Sequence, residues 1–288
     1  MISYKNISAV VITYNPDIET LNALIQELLK QVKDVVIVDN SNSELDLKSK
    51  IPIQSEIVFL SDGRNKGIAT AQNIGISYAK ENDRDAVWIF DQDSELGGLS
   101  LEVMVNELNS FEGVVASIGP SIVNSFSNQV ELPRKKTKNK NGTFCVDQII
   151  ASGSLTPVSV FDEVGDMEDA LFIDAVDFEW CWRAKSLGYE ILTSTQKMIH
   201  SVGEGDESIL GGLIKIKVAA PFRLYYQVRN YFSLLKRNYV PLRWKVRNFF
   251  YYIAKYFYFG FLRDNSSEYR KNIISGANDG LKLEFRRK

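Results

Sequence analysis

The chain alternates short, wholly apolar runs with longer segments whose apolar residues recur every three or four positions. Runs rich in valine and isoleucine are typical of buried strands. They occupy residues 8–13, 35–38, 56–62 and 86–90. Between them, apolar positions spaced as on one helix face predict amphipathic helices. Strands that alternate with helices in this way predict an α/β fold with a mostly parallel, doubly wound sheet.

Helix boundaries are indicated by polar caps, prolines and glycines. Asn15 and Pro16 are expected to cap and open the first helix, and Gly67 lies at the entrance of the second. A later helix is expected over 176–187, stopped by Gly188 and followed by a short strand. These signals extend the α/β pattern through most of the chain.

A polar stretch at 131–142, ELPRKKTKNKNG, interrupts this pattern and carries five basic residues. Such runs are usually solvated, so a mobile surface loop is the expectation. A loop that closes on an anionic substrate is the alternative.

The length and composition limit the class of protein. With 288 residues and 45% hydrophobic content, the chain can form one large α/β domain or a domain with an appendage. Cys145 and Cys181 have neither metal-site spacing nor the density of a secreted disulfide scaffold, which favours a reducing cytoplasm. The apolar run at 9–13 is too short for a signal peptide.

The segment AVWIFDQDS at 86–94 combines a strand pattern with charge, because its apolar run stops at Asp91 and Asp93. Ligands of open α/β sheets bind beyond the carboxyl ends of the strands. Two neighbouring carboxylates repel each other and suit a hard divalent cation with oxygen ligands. A solvated turn is the other interpretation of this pair.

Several motifs occur in a characteristic order: TYN and VDN at strand ends, NKGIATAQNIG, DQD, VDFEWCWRAKSLGY, and a later histidine followed by glycine. In this order they resemble the family 2 glycosyltransferases, and within them the bacterial rhamnosyltransferases of O-antigen and other surface polysaccharides. The resemblance covers roughly 7–235 and implies the GT-A fold.

The resemblance implies a nucleotide-sugar site at the ends of the first strands. Base and ribose would be bound by the first strand end and by the carboxylate after the second strand, and the donor-side loop and helix would complete the site. The residues so implied are Thr13, Tyr14, Asn15, Asp39, Asn65, Lys66, Gly67 and Asn73. Asp39 could instead serve a turn, and Gly67 a tight turn alone.

By the same resemblance, Asp93 binds Mg²⁺ or Mn²⁺ on the donor diphosphate. Asp91 lies nearer the ribose or bridges through water, and His200 is a third metal or diphosphate ligand. The cation would neutralise the departing diphosphate. A lone histidine is otherwise more often a structural residue.

Asp177 is the candidate general base, by resemblance to an acidic motif at a helix entrance. The first position of the usual acidic pair is Val176 here, whereas Asp177 and Glu179 are retained. Asp174 is a further carboxylate nearby, and Trp180 is expected to pack near the acceptor. Asp177 and Glu179 could instead cap the helix, where its dipole favours carboxylates.

The segment 221–263 holds nine Lys or Arg, no Asp or Glu, and 16 of the 33 aromatic residues. Its apolar runs fall short of the roughly 20 residues that a spanning helix needs. Aromatic residues mixed with cations suit an anionic membrane surface; a helical appendage packed on the catalytic domain or on a second copy is the alternative. Without a recognised module, nucleic-acid binding is not expected.

Together these features predict a catalytic domain at 1–220 and a helical extension at 221–288. The resemblance implies inverting, metal-dependent transfer of L-rhamnose from dTDP-β-L-rhamnose to an undecaprenyl-diphosphate-linked oligosaccharide, on the cytoplasmic face of the cell membrane. A UDP- or GDP-linked donor is the first alternative. A haloacid-dehalogenase-like phosphohydrolase with Asp91 as nucleophile and a non-catalytic membrane scaffold are the others.

Overall fold

The computed structural model describes residues 2–42, 47–51, 54–124, 130–131, 136–200, 206–209, 214–217 and 219–284. Most of the described strands form one mixed sheet of ten strands, in the order β3-β2-β1-β4-β9-β5-β10-β8-β7 with β6 beside β5. The strands are β1 (Ile7–Thr13), β2 (Asp34–Asp39), β3 (Ile57–Ser61), β4 (Ala86–Asp91), β5 (Val115–Asn124), β6 (Val130–Glu131), β7 (Lys136–Lys138), β8 (Phe144–Val146), β9 (Ser154–Pro157) and β10 (Glu190–His200), with β11 (Asp206–Ile209) and β12 (Ile214–Lys217) in a separate hairpin.

The pairs β1–β2, β1–β4, β2–β3 and β5–β10 are parallel, whereas β9 runs antiparallel between β4 and β5. The expected mostly parallel α/β sheet is therefore confirmed, with β9 as an antiparallel strand near its middle.

Helices cover both faces of this sheet. The helices are α1 (Ile18–Leu28), α2 (Leu47–Lys50), α3 (Ile68–Glu81), α4 (Leu101–Asn109), α5 (Val158–Val164), α6 (Val176–Ser186), α7 (Pro221–Leu235), α8 (Leu242–Phe257) and α9 (Ser266–Lys282). Short 3-10 and π-helical turns lie at Asp169–Leu171 and Tyr258–Leu262. Alternate β1 residues enter two apolar clusters, so Val10 packs with α3 on one face and Val11 with α1 on the other.

The sequence predicted the strands β1 to β4 and the helices α1, α3 and α6, and these are confirmed. The expected cap of α1 is wrong. Asp17, and not Asn15, caps the helix by accepting a hydrogen bond from the Thr20 amide, while Asn15 adopts a left-handed φ of 46°. Pro16 therefore precedes the helix, which begins at Ile18.

Two other local expectations need correction. The polar stretch 131–142 is not simply a loop, because Lys136–Lys138 pairs with β8 at the edge of the sheet. Residues 132–135 of that stretch lie outside the described residues. The strand after Gly188 has 11 residues and is not short, since it pairs along β5.

The last three helices share an apolar cluster, to which Leu224 of α7 and Ile273 of α9 belong and against which Tyr252 of α8 packs. Helices α7 and α9 approach closely through Gly276 and Gly280, where an added Cβ would lie 2.5 Å from the Tyr225 carbonyl oxygen and 2.2 Å from that of Arg229. Along the described ranges, no helix has both the length and the apolar character needed to cross a membrane.

Candidate functional site

A cavity of about 580 Å³ opens beyond the carboxyl ends of β1, β2 and β4. Its walls come from these strand ends, the start of α3, the segment before β9, the entrance of α6 and the first turn of α7. The lining residues are Ile12, Thr13, Tyr14, Asn40, Asn65, Gly67, Ile68, Gln72, Asp91, Gln92, Ile150, Ala151, Phe172, Ile173, Asp174, Ala175, Val176, Asp177, Phe222 and Arg223. The position agrees with the expectation for ligands of open α/β sheets.

The ends of β1 and β2 are joined through Asp39, which is buried behind the cavity lining. Its Oδ1 accepts hydrogen bonds from the Thr13 hydroxyl at 3.0 Å and from the Ser41 hydroxyl at 2.7 Å. The Ser41 oxygen in turn accepts from the Asn15 amide. Thr13 and Tyr14 line the cavity, whereas Asp39 and the exposed Asn15 do not. Asp39 therefore orients the cavity lining from behind.

Asn40 and Asn65 connect the end of β2 to the loop before α3. The Asn40 amide nitrogen donates to Asn65 Oδ1 at 3.0 Å, and Asn40 Oδ1 accepts from the Lys66 amide. The Lys66 side chain pairs with Asp62 and does not line the cavity, contrary to the expected role at the donor. Its backbone alone contributes to this rim of the site.

Gly67 is required by close packing as well as by its conformation. It has φ of 84°, and an added Cβ would lie 2.5 Å from the ring of Phe172. The residue therefore lets the start of α3 approach the opposite wall of the cavity. Its carbonyl begins α3 by accepting from the Ala71 amide.

Two neighbouring amides of α3 have opposite roles. Asn73 exchanges hydrogen bonds with the Met167 backbone and donates to Asp169. It therefore stabilises a loop and does not line the cavity, although it was expected at the donor site. Gln72 does line the cavity; it is 1% exposed, and its Oε1 has no hydrogen-bond partner among the described residues. A buried acceptor without a donor is costly unless a ligand supplies one.

The end of β4 is fixed by a reciprocal pair of hydrogen bonds with the end of β1. Gln92 Oε1 accepts from the Tyr14 amide at 2.6 Å, and Gln92 Nε2 donates to the Tyr14 carbonyl at 3.2 Å. Asp91 lines the cavity, and Asp93 lies exposed two residues beyond it. Both carboxylates therefore follow the end of β4, as the sequence predicted, but only Asp91 of the two lines the cavity.

Backbone pairing brings the end of β10 next to the turn after β4, the two segments on which metal ligands were expected. Glu95 and Ile199 form an isolated antiparallel bridge, which places the backbone of His200 beside the turn that carries Asp93; the His200 side chain lies outside the described residues. Among the described side chains, no group of three or more His, Cys, Asp or Glu gathers around one point. Mg²⁺ is commonly held by one or two carboxylates together with substrate phosphates and water, so the donors Asp91 and Asp93 fit such an ion.

Asp177 lies in the first turn of α6 and faces the cavity. Its carboxylate accepts hydrogen bonds from the Phe178 amide at 2.9 Å and the Ala151 amide at 3.3 Å. Burial raises the pKa of Asp177 to about 7, helped by the charge of Asp91 and opposed by these amides. A carboxylate with a pKa near neutrality can accept a proton from a bound hydroxyl.

The first turn of α7 completes the cavity with an ion pair and an aromatic ring. Arg223 Nη2 donates to Asp174 Oδ1 at 3.0 Å, and both side chains line the cavity. Phe222 is 61% exposed beside them. Asp174 was expected from its position near Asp177, whereas Phe222 and Arg223 were missed because no local pattern links them to the strand ends.

Glu179 and Trp180 were expected near the acceptor, but neither lines the cavity, and both are buried. Glu179 is fully buried; it pairs with Arg183 and accepts from the Tyr239 hydroxyl at 2.6 Å. The Trp180 indole donates to the Gly165 carbonyl at 2.7 Å inside the core. Since each helical residue turns by about 100°, positions two and three beyond Asp177 face other elements.

The cavity wall formed by residues 172–175, which packs against the start of α3, has an unusual backbone. Phe172, Asp174 and Ala175 have φ values of 63°, 65° and 63°, although none is a glycine. Each such conformation costs about 1–3 kcal/mol and persists only where the surroundings enforce it. The segment leads directly into α6, since Ala175 is the residue before the first helical position.

Comparison with known proteins assigns this architecture to a family. The family model described as glycosyl transferase family 2 matches residues 8–164. The dTDP-rhamnosyl transferase RfbF of Shigella flexneri is 33% identical over 294 residues, which cover 96% of each chain. The low-salt glycan biosynthesis hexosyltransferase Agl10 of Haloferax volcanii is 21% identical over 62% of each chain.

Solved structures share the fold at low sequence identity. Staphylococcus aureus TarS 1–349 in complex with UDP-GlcNAc superposes with a TM-score of 0.54 and 13% identity, covering 96% of this chain and 81% of that one. GalNAc-T7 with UDP, GalNAc and Mn²⁺ gives a TM-score of 0.57 and 16% identity, covering 84% of this chain and 53% of that one.

The raised pKa of Asp177 predicts a pH-dependent effect of Asp177→Asn. The folded protein retains a proton that the unfolded chain, with a pKa of 3.8, releases, so this carboxyl lowers stability as pH rises from about 4 to 7. Asparagine removes that dependence. We therefore expect the melting temperature of Asp177→Asn minus that of the wild type, both measured by calorimetry, to increase by roughly 5 °C from pH 5 to pH 8.

Asp264→Asn is the matched control, because Asp264 is exposed and does not line the cavity. A melting-temperature difference for Asp177→Asn that stays constant from pH 5 to pH 8 would contradict the shifted titration.

Proposed function

Because the chain belongs to glycosyl transferase family 2 and has its GT-A fold, we propose that this glycosyltransferase transfers L-rhamnose from dTDP-β-L-rhamnose to a lipid-linked oligosaccharide. The observation that carries the choice of donor is the 33% identity with a dTDP-rhamnosyl transferase over 96% of both chains. The cavity supports the reaction class, since it brings Asp91 and Asp177 together beyond the strand ends. The product would enter synthesis of an O-antigen or a similar surface polysaccharide.

The donor nucleotide would lie against the ends of β1 and β2 and the start of α3. Thr13, Tyr14, Asn65 and Gly67 remain the proposed contacts, since each lines the cavity. Gln72 joins them because its unpartnered Oε1 can accept a hydrogen bond from the nucleotide sugar. Asp39 acts from behind through Thr13.

Asp91 and Asp93 would hold the divalent cation, Mg²⁺ or Mn²⁺, with His200 as a further proposed ligand at the end of β10. Such an ion, when bound, neutralises charge on the departing diphosphate. The protein contributes the fixed geometry of the strand end, where Ser152 Oγ accepts from the Asp91 amide and contacts Ser94 Oγ at 2.6 Å.

Asp177 would act as the general base of an inverting transfer. It removes the proton from the acceptor hydroxyl while that oxygen attacks the anomeric carbon on the side opposite the diphosphate. The bond from the anomeric carbon to the diphosphate breaks in the same step, without a covalent enzyme intermediate. Since Asp174 and Arg223 line the cavity together with Asp177, the acceptor would bind at the α7 side of the cavity.

The helices after residue 220 would hold the enzyme on the anionic inner face of the cell membrane, as a peripheral extension of a catalytic domain at 1–220. Trp244 of α8 packs inward against Trp182 and Tyr231, so part of the aromatic content is structural. The other face of α8 exposes a strip of large apolar side chains: Leu242, Val246, Phe249, Phe250, Ile253 and Phe257, continued by Phe261. Apolar residues at helical spacing suit insertion among lipid headgroups.

Charge on the same helix favours an anionic lipid surface. Arg243 and Arg247 are exposed beside the apolar strip, and 221–263 contains no acidic residue. Lys255 does not contribute, because it is buried and donates to Gln227. Since α7 carries Phe222 and Arg223 to the cavity, a lipid-linked acceptor would reach Asp177 from the membrane side.

Nucleotide preference tests the proposed donor. We expect dTDP with Mn²⁺ to raise the melting temperature of the protein more than UDP or GDP does, and this rise to shrink when the metal is chelated or in Asp93→Ala. A preference for UDP or GDP would overturn the rhamnose assignment. No stabilisation by any nucleoside diphosphate would overturn the proposed donor site.

The Gln72→Leu variant tests a ligand contact separately from folding. Removing an unpartnered buried oxygen should leave the melting temperature of the free protein unchanged or higher, while the affinity for dTDP-rhamnose falls roughly tenfold by calorimetric titration. Ser233→Ala is the control, because Ser233 also has a buried, unpartnered oxygen but lies away from the cavity. Unchanged donor affinity in Gln72→Leu would exclude the contact.

Vesicle binding tests the proposed membrane face. Phe250→Glu with Phe257→Glu should reduce sedimentation with phosphatidylglycerol-containing vesicles severalfold, because two exposed apolar side chains become charged, and should leave dTDP binding intact. Leu187→Glu is the control, because Leu187 is exposed at the end of α6, outside α8; this variant should bind vesicles as the wild type does. Equal binding by both variants would contradict the assignment.

A further inference from the structure

The segment 172–177, here termed the acceptor wall, forms a continuous side of the cavity. All six of its residues line the cavity, and three of them have left-handed backbone conformations. Asp177 is its last residue, so the path of the acceptor wall determines where this carboxylate lies. Contacts from outside the wall must hold this conformation.

Asn230 of α7 supplies the most concentrated of these contacts. Its side-chain nitrogen lies 2.9 Å from the carbonyl oxygen of Leu171, 2.7 Å from that of Ile173 and 3.0 Å from that of Asp174. The two hydrogens of one amide group thus serve three carbonyl oxygens. Asn230 is 1% exposed and does not line the cavity, so it can influence a bound substrate only through the wall.

The adjacent Arg229 also contacts the start of this segment. Its guanidinium donates to the carbonyl oxygens of Ala170 and Leu171 and lies 4.6 Å from the ring centroid of Tyr226. That ring stacks on Phe172 at 4.6 Å with an interplanar angle of 12°. The beginning of the acceptor wall is therefore fixed by α7 through both its backbone and its side chain.

The other side of the wall rests against the start of α3. The Ile68 amide donates to the Phe172 carbonyl at 2.7 Å, and the Phe172 ring lies against Gly67. At the far end, the Ala175 carbonyl accepts from the Glu179 amide and so begins α6. The wall is held between α3 and α7, and its conformation fixes the first turn that presents Asp177.

We propose that Asn230 is a positioning residue of the transfer reaction, holding the acceptor wall so that the Asp177 carboxylate faces the attacking oxygen. The inference rests on the proposed role of Asp177 as general base. It gives α7 a part in catalysis that is separate from membrane attachment, which depends on the exposed face of α8.

Hydrolysis of dTDP-rhamnose by water provides a test that needs no acceptor. Water replaces the acceptor hydroxyl: its oxygen attacks the anomeric carbon, the bond to dTDP breaks, and Asp177 receives the proton. For Asn230→Leu, similar in volume but without donors, we expect kcat to fall roughly tenfold or more, because small displacements of a reacting group are costly. KM for dTDP-rhamnose and Kd for dTDP should stay within about twofold of the wild type, since the strand ends are unchanged.

Ser233→Ala is the matched control, because Ser233 is buried on the same helix and its hydroxyl has no partner among the described residues; it should retain the wild-type kcat. Arg229→Met provides a second variant if Asn230→Leu does not fold, with a smaller loss of kcat expected. An unchanged kcat in a folded variant, or a fall in kcat matched by an equal loss of dTDP affinity, would overturn the positioning role.

Failure of the wild type to bind dTDP or to hydrolyse dTDP-rhamnose would instead count against the proposed function. The two proposals are therefore distinguished by the same set of measurements.

Discussion

The parallel register of β1 with its two neighbours is the constraint on which the site depends. It pairs Thr13 with Asp39 across β1–β2 and Ile12 with Asp91 across β1–β4, so that three polar strand ends meet at one edge of the sheet. Buried apolar side chains on both faces set this register, because a shift by one residue would exchange the two faces. The carboxylates beyond the strands are held by the packing of the strands themselves.

The two carboxylates of α6 show how surroundings separate structural from chemical roles. Glu179 is buried, pairs with Arg183 and accepts a hydrogen bond from the Tyr239 hydroxyl. Asp177 accepts hydrogen bonds from two backbone amides and forms no ion pair among the described residues, and burial raises its pKa. Asp177 and Glu179 are only two positions apart, which is about 200° around the helix, so one faces the cavity and the other faces the core.

Features encoded by neighbouring residues could be predicted from the sequence. The strands ending at Thr13, Asp39 and Asp91 followed from apolar runs that stop at polar residues, and the resemblance placed Asp177 at a helix entrance. Asn73 and Gln72 could not be separated, because which of two adjacent amides faces the cavity depends on the rotation of α3 over β1. Phe222, Arg223 and Asn230 carried no signal, since their positions follow from the packing of α7 on a distant loop.

The contact between Gly67 and Phe172 joins two positions that are far apart in the chain into one unit. An added Cβ at 67 would lie 2.5 Å from the ring and 2.6 Å from the carbonyl oxygen of Phe172, so loss of the ring alone would not make room for a side chain. Glycine at 67 is therefore required by the backbone path of the acceptor wall, and not only by the Phe172 ring. Among relatives that keep this backbone path, we expect the glycine of the donor-side loop to persist even where the aromatic residue of the acceptor wall is replaced.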